Sequence, residues 1–138
     1  MRAFKFVAFL LPVVMFAAAC EGDIANIPTT PDPVTVTETF TGTVNINGAA
    51  THSFNTLATG TVTATLTSLG ENPPAAVGLS MGTMSGSTCS LVLTNDRAVV
   101  TSIVNGTVTT LVGSLCVRIY DVGSLTQAVP YEIRVEHK

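Results

Sequence analysis

Charged side chains are scarce in this chain. They make up 11% of its 138 residues, with six Lys and Arg against nine Asp and Glu, where soluble domains usually carry about a quarter. A basic footprint able to recruit nucleic acid is therefore excluded. Tryptophan is absent and aromatic residues are 6% of the total, which leaves few stacking platforms for bases or sugars. Only two histidines occur, His52 and His137, and His137 stands beside the C-terminal Lys138, where fraying is the expectation. His52 is expected at the surface or in a hydrogen bond. No calcium loop of the Asp-x-Asp-x-Asp-Gly type or Cys-x-x-Cys pair is present. Ser80 and Ser85 have no recognisable base, and Asp96 and Asp121 occupy positions that suit turns. The chain is thus expected to be no enzyme, with no catalytic residue, no cofactor and no metal.

Long apolar runs are missing as well. The longest uncharged apolar stretch, Phe6 to Ala19, has 14 residues, whereas a bilayer-spanning helix needs about 20. It follows Arg2 and Lys5, contains Pro12, and ends Ala17-Ala18-Ala19-Cys20. A charged start, a short apolar run and small residues form a secretory signal peptide, helical until it is cut. Small residues before a cysteine resemble the lipobox of bacterial lipoproteins, although that family favours Leu where Ala17 stands. The resemblance implies cleavage before Cys20, diacylation of its thiol and acylation of the new amino terminus. The protein would then be exported and membrane-bound through lipid on Cys20, since two or three acyl chains anchor stably where one does not. Glu21 is not the Asp that favours inner-membrane retention in such proteins, so the outer membrane is the expected address. The alternative is an ordinary cut after Ala19 that leaves Cys20 a free thiol.

Residues 1–19 thus form the signal peptide, 20–33 the lipidated cysteine and its tether, and 34–138 the folded domain. The tether, Glu21 to Pro33, carries three prolines and no helical or strand period, and spans at most ~43 Å when fully extended. An alternative packs part of it as an edge strand. After cleavage, 4 basic residues face 9 acidic ones, a net charge of -5, dispersed without a run. An odd number of cysteines in an exported chain needs an explanation. Acylation of Cys20 leaves Cys89 and Cys116, expected as a disulfide because exported compartments are oxidising. A redox or metal pair is the alternative.

The domain is dominated by alternation. From Thr35 to Thr43 every odd position is Thr, while Val34, Val36, Phe40, Val44 and Ile46 occupy even ones. Period two and β-branched residues make a strand. Thr61 to Thr67 and Val77 to Gly82 repeat the pattern. Cys89, Leu91 and Leu93 follow in one phase. Val99 to Val104, Thr107 to Val112, Leu115 to Val122 and Tyr131 to Val135 complete the candidates. Asn47-Gly48, Asn95-Asp96 and Asn105-Gly106 read as turns. Gly82 to Thr88 reads as a surface loop, able to carry binding or merely to connect. Met81 and Met84 read as gap-fillers or exposed residues, and not as metal ligands. Tyr131, Ile133 and Val135 should face inward, with Glu132, Arg134 and Glu136 in water. No helical period is sustained after the signal, so the fold class is all-β, an antiparallel β-sandwich or jelly-roll-like domain.

The stretch Gly113-Ser114-Leu115-Cys116-Val117-Arg118-Ile119-Tyr120-Asp121, with Tyr131-Glu132-Ile133-Arg134-Val135, resembles the bacterial pre-peptidase C-terminal domain. His52-Ser53-Phe54 and Gly60 to Leu66 are similar to its earlier strands. The resemblance implies a β-sandwich of the kind appended to secreted enzymes, some of which bind insoluble substrate or calcium. The stretch from Val77 to Met81 carries none of the acid residues found there in the family. The expectation is a non-enzymatic, lipid-anchored cell-envelope module with a structural or interaction role, facing an envelope protein or polysaccharide. The alternative is a ligand-binding module for polysaccharide or a protein substrate. Phe40, Phe54, Tyr120 and Tyr131 read mostly as core-phase positions, which weighs against a sugar platform.

Overall fold

The computed structural model describes residues 31–110 and 113–138; Cys20, the signal segment and most of the tether lie outside them. Eight antiparallel strands follow in chain order: β1 (Val36–Val44), β2 (Ala49–Thr56), β3 (Gly60–Ser68), β4 (Val77–Ser85), β5 (Thr88–Ala98), β6 (Ile103–Val108), β7 (Gly113–Tyr120) and β8 (Val129–His137). One sheet runs β1-β8-β3-β6 and the other β2-β7-β4-β5. Successive strands mostly alternate between sheets, the strand order of an eight-stranded jelly roll. Only the β4–β5 connection is a hairpin within one sheet.

Alternation determines which side chains meet. In β3, Val62, Ala64 and Leu66 are buried while the threonines between them are not. In β8, Tyr131, Ile133 and Val135 point into the core, and Glu132, Arg134 and Glu136 point out, as their period demands. The second sheet contributes Leu79, Val117 and Ile119, all with no exposed surface. Strand β1 buries its even positions progressively toward Val44, and its odd threonines stay in water.

Several local signals were overridden by tertiary pairing. Asn105-Gly106 is no turn: both residues lie inside β6, paired with Thr63 and Val62 of β3. Gly106 faces the core, where a Cβ would lie 2.8 Å from Leu93 Cδ1. Its lack of a side chain makes room for Leu93. The chain reverses at Val99–Ser102 instead. There Ser102 N–H donates to Val99 O, Thr101 N–H to Leu66 O, and Thr101 adopts φ 77°. Asn95 and Asp96 sit within β5. The expected surface loop Gly82 to Thr88 is mostly strand, closed by a tight turn at Gly86, whose φ is 59°.

The register of β5 explains a further departure. Gly82 pairs with Leu91 and Met81 with Leu93, so Val92 is an extra residue in β5. Such a bulge reverses the phase beyond it, here as far as a second register shift between Asn95 and Ala98. Cys89 and Leu91 therefore face outward with Gly82 and Met84, whereas Leu93 packs on the core. The single phase expected for Cys89, Leu91 and Leu93 is broken there.

Asn47-Gly48 does form a turn, with Gly48 N–H donating to Asn45 O at 2.8 Å and Asn47 at φ 54°. It carries the chain from one sheet to the other. Asp121 clamps it. Asp121 Oδ2 accepts from Asn47 N–H, and Oδ1 accepts from the N–H groups of Gly123, Ser124 and Leu125 at 2.8–3.1 Å. These donors, Asn47 first, hold the carboxyl below its ordinary value of 3.8. A depressed folded-state value means that the clamp's contribution is complete above 3.8 and disappears as pH falls through the folded value. The melting temperature of Asp121→Asn should therefore lie below that of the native chain at neutral pH. The gap should narrow as a pH series descends below 3.8. A gap independent of pH would refute the clamp.

Candidate functional site

The outer face of the β2-β7-β4-β5 sheet is the candidate site. Leu115, Val117 and Ile119 of β7 face the core, so Cys116, Arg118 and Tyr120 face out. Their cross-strand neighbours follow from register. Tyr120 lies between Ala49 and Gly78, Arg118 between Thr51 and Ser80, and Cys116 between Ser53 and Gly82. Ser80 in turn pairs with Thr94 of β5. The central strand β4 thus offers Gly78, Ser80 and Gly82 on this face, three small residues in a row. All three are buried although they point outward, because larger neighbours lie across them.

Tyr120 is the largest of those neighbours. A Cβ built on Gly78 would collide with Cε1, Cζ and Cε2 of its ring together, so the ring lies flat on the glycine. Its hydroxyl donates to Asp96 Oδ1, and Ser80 Oγ lies 3.4 Å from it and 3.3 Å from Thr94 Oγ1, its single proton shared between the two. Burial first, then the hydrogen bond to Asp96, pushes the Tyr120 hydroxyl above its ordinary value of 10.0. It stays a donor at neutral pH. The Arg118 guanidinium lies 5.9 Å from the ring centroid, within cation–π range. Tyr120 is therefore not in the core phase; the structure corrects that reading.

The disulfide borders this network. Cys89 of β5 and Cys116 of β7 are joined across β4, with Cα atoms 5.9 Å apart. Strands two places apart normally stand roughly 9.5 Å from one another. Strand β5 closes that distance by arching over Gly82, whose missing Cβ leaves space for the backbone of Ser90 and Leu91.

The remaining sequence candidates separate. His52 and His137 both sit on the opposite edge of the sandwich, where β1 and β2 meet. His52 Nε2 shares a 2.6 Å hydrogen bond with Tyr131 Oη and stacks on Phe40 at 4.9 Å. Burial pushes the His52 imidazole below 6.5 and the Tyr131 hydroxyl above 10.0. His137 is not frayed. It ends β8 at 3% exposure, packs near Phe54, and its Nε2 lies 2.9 Å from Glu38 Oε1. That pair also accounts for Glu38, the charged exception among the inward positions of β1. Neither histidine is hydrogen-bonded to Ser80, whose hydroxyl is engaged by Thr94 and Tyr120. Asp96 and Asp121 serve different partners, the first Tyr120 and the second the loop amides. Among the described residues, no three His, Cys, Asp or Glu side chains converge as a metal would require.

An apolar cleft of about 290 Å³ opens on the side where β5 and β6 lie opposite one another. Val62, Met81, Leu93, Val108 and Leu115 line it, together with Gly82 and Gly106. Met81 fills core space. Val92 and Ile103, 69% and 54% exposed, are apolar residues of β5 and β6 left in solvent.

Sequence reasoning missed Arg118 and Tyr120 as partners. The signal was present: they alternate with Leu115, Val117 and Ile119, and so belong to the face opposite the core. Comparison with protein-family models and with curated proteins finds no significant match to this chain.

Proposed function

We propose that this protein is an exported, lipid-anchored jelly-roll module of the bacterial cell envelope, non-enzymatic, held by acyl chains on Cys20 and engaging an envelope partner through its folded domain. The observation that carries the reading is the Cys89–Cys116 disulfide. Such bonds persist in oxidising compartments outside the cytosol. Their pairing also leaves Cys20 as the odd thiol, immediately after Ala17-Ala18-Ala19. The resemblance to lipobox signals supplies its role, and Glu21 favours the outer membrane. The alternative, a ligand-binding module of the accessory type, draws support from Tyr120 and Arg118 on an open sheet face.

Growth with labelled palmitate tests the anchor. The native chain should take up label and sediment with membranes. Cys20→Ala should take up none and appear in the soluble fraction. An unlabelled native chain, with Cys20→Ala equally membrane-bound, would refute it.

A further inference from the structure

We propose that the outer face of the β2-β7-β4-β5 sheet is a binding site for a carboxylated polysaccharide, with Arg118 taking the carboxylate and Tyr120 the sugar ring. The inference deepens the interaction-module reading but does not depend on the lipid, so the two can fail separately.

Arg118 carries the argument. Among the described residues, Lys138 pairs with Asp32 at 3.2 Å and Arg134 with Glu136 at 3.7 Å, but no carboxylate lies within ion-pair distance of Arg97 or of Arg118. Its guanidinium has the Tyr120 ring beside it and no hydrogen-bond acceptor. Its Nε is buried without a partner. Buried donors are satisfied in nearly all folded proteins, and an orphan of this kind points to a missing acceptor. A carboxylate fits the planar fork in two parallel hydrogen bonds. Swinging the guanidinium outward to meet it would bring Nε to an acceptor as well.

The surroundings select what carries that carboxylate. Thr51 flanks Arg118 on one side and the buried Ser80 on the other, with Thr94 beyond Ser80 and Ser53 one row along. The exposed hydroxyls of Thr51, Ser53 and Thr94 both donate and accept, and suit a polyhydroxylated chain. Tyr120 lies flat because Gly78 has no side chain, and its hydroxyl is tied to Asp96, so the ring is held before a ligand arrives. A flat aromatic face matches the C–H face of a pyranose, and its preorganisation lowers the cost of binding. An acidic peptide would use the arginine but neither the flat ring nor the hydroxyls.

The test uses the full chain, extracted in detergent, and measures affinity for polygalacturonate, dextran and polyglutamate. Polygalacturonate should bind; dextran and polyglutamate should bind at least ~10-fold more weakly, as expected for losing a charge-assisted fork or the sugar contacts. Arg118→Ala should weaken polygalacturonate binding by roughly 10-fold or more. Arg134→Ala, on the outer face of the other sheet, should leave it unchanged. If Arg118→Ala fails to fold, Arg118→Lys keeps the charge and the aliphatic stem but loses the fork. It should still bind measurably more weakly than the native chain. No binding of polygalacturonate, equal binding of polyglutamate, or full binding by the folded Arg118 variant would overturn the proposal.

Discussion

Replacing Cys89 and Cys116 together by alanine is expected to destabilise the domain by about 3.5 kcal/mol. That is the chain-entropy value for releasing a closed loop whose ends lie 27 residues apart. The bond matters for a second reason. Strand β5 is an edge strand, paired only with β4, and the Val92 bulge interrupts that pairing. The disulfide reaches past β4 and ties β5 to β7. Its loss should therefore free β5 more than any other strand. Thermal unfolding followed by circular dichroism should show a melting temperature lower by roughly 10–15 °C, given the usual entropy of unfolding for a domain of this size. Amide exchange should accelerate most along Thr88–Ala98. A change below about 1 kcal/mol would mean that β-pairing alone holds the edge, since such a loss is no larger than one ordinary hydrogen bond.

The second large effect is expected from one methyl group. In Gly82→Ala the new Cβ would lie 2.7 Å from the Ser90 carbonyl carbon and 2.9 Å from Leu91 Cα, and closer still to the Ser90 carbonyl oxygen. These are backbone atoms, held by strand pairing and by the neighbouring disulfide, so they cannot swing aside. The cost should reach about 3 kcal/mol, the upper end of ordinary overpacking. Gly78→Ala is the internal comparison. Its Cβ would meet only the Tyr120 side chain, which can move off by giving up its hydrogen bond to Asp96. Gly78→Ala should therefore cost clearly less, while displacing the ring. Urea denaturation of both variants checks the order. In the chain without the disulfide, Gly82→Ala should cost less than it does in the native chain, because β5 is then free to lift. Coupling of that kind is what a double-mutant cycle reads. Equal costs for Gly78→Ala and Gly82→Ala, or strict additivity with loss of the disulfide, would show that β5 does not depend on a bare glycine beneath it.

Both effects arise where pattern reading was incomplete. Val77, Leu79 and Met81 identify the core face of β4 correctly, and the glycines and serine between them would ordinarily face solvent. Nothing adjacent in sequence indicates that a tyrosine some forty positions later, and a bond between β5 and β7, cover them. Asn105-Gly106 carried a strong hairpin signal, yet it lies mid-strand. There Gly106 is selected by the room that Leu93 needs and not by turn geometry. His137, expected to fray, is held by Glu38 from a strand about a hundred positions earlier, a partner no local window contains.

Period-two alternation of threonine with aliphatic residues was enough to establish an all-β domain. It also places Val62, Ala64 and Leu66, and Tyr131, Ile133 and Val135, on the core face, because a pleated strand sends alternate side chains to opposite sides whatever its partners. Cysteine parity and the oxidising context expected of an exported chain were enough to pair Cys89 with Cys116. Which strands lie side by side, where β5 bulges, and hence which residues stand together on the open face, followed only from packing the two sheets. Those choices are settled by contacts between residues far apart in the chain. A single extra residue such as Val92 inverts the side chains beyond it as far as the next register shift, between Asn95 and Ala98, and Arg118 and Tyr120 share a surface with Ser80, Thr94 and Asp96 only after β7 has settled beside β4.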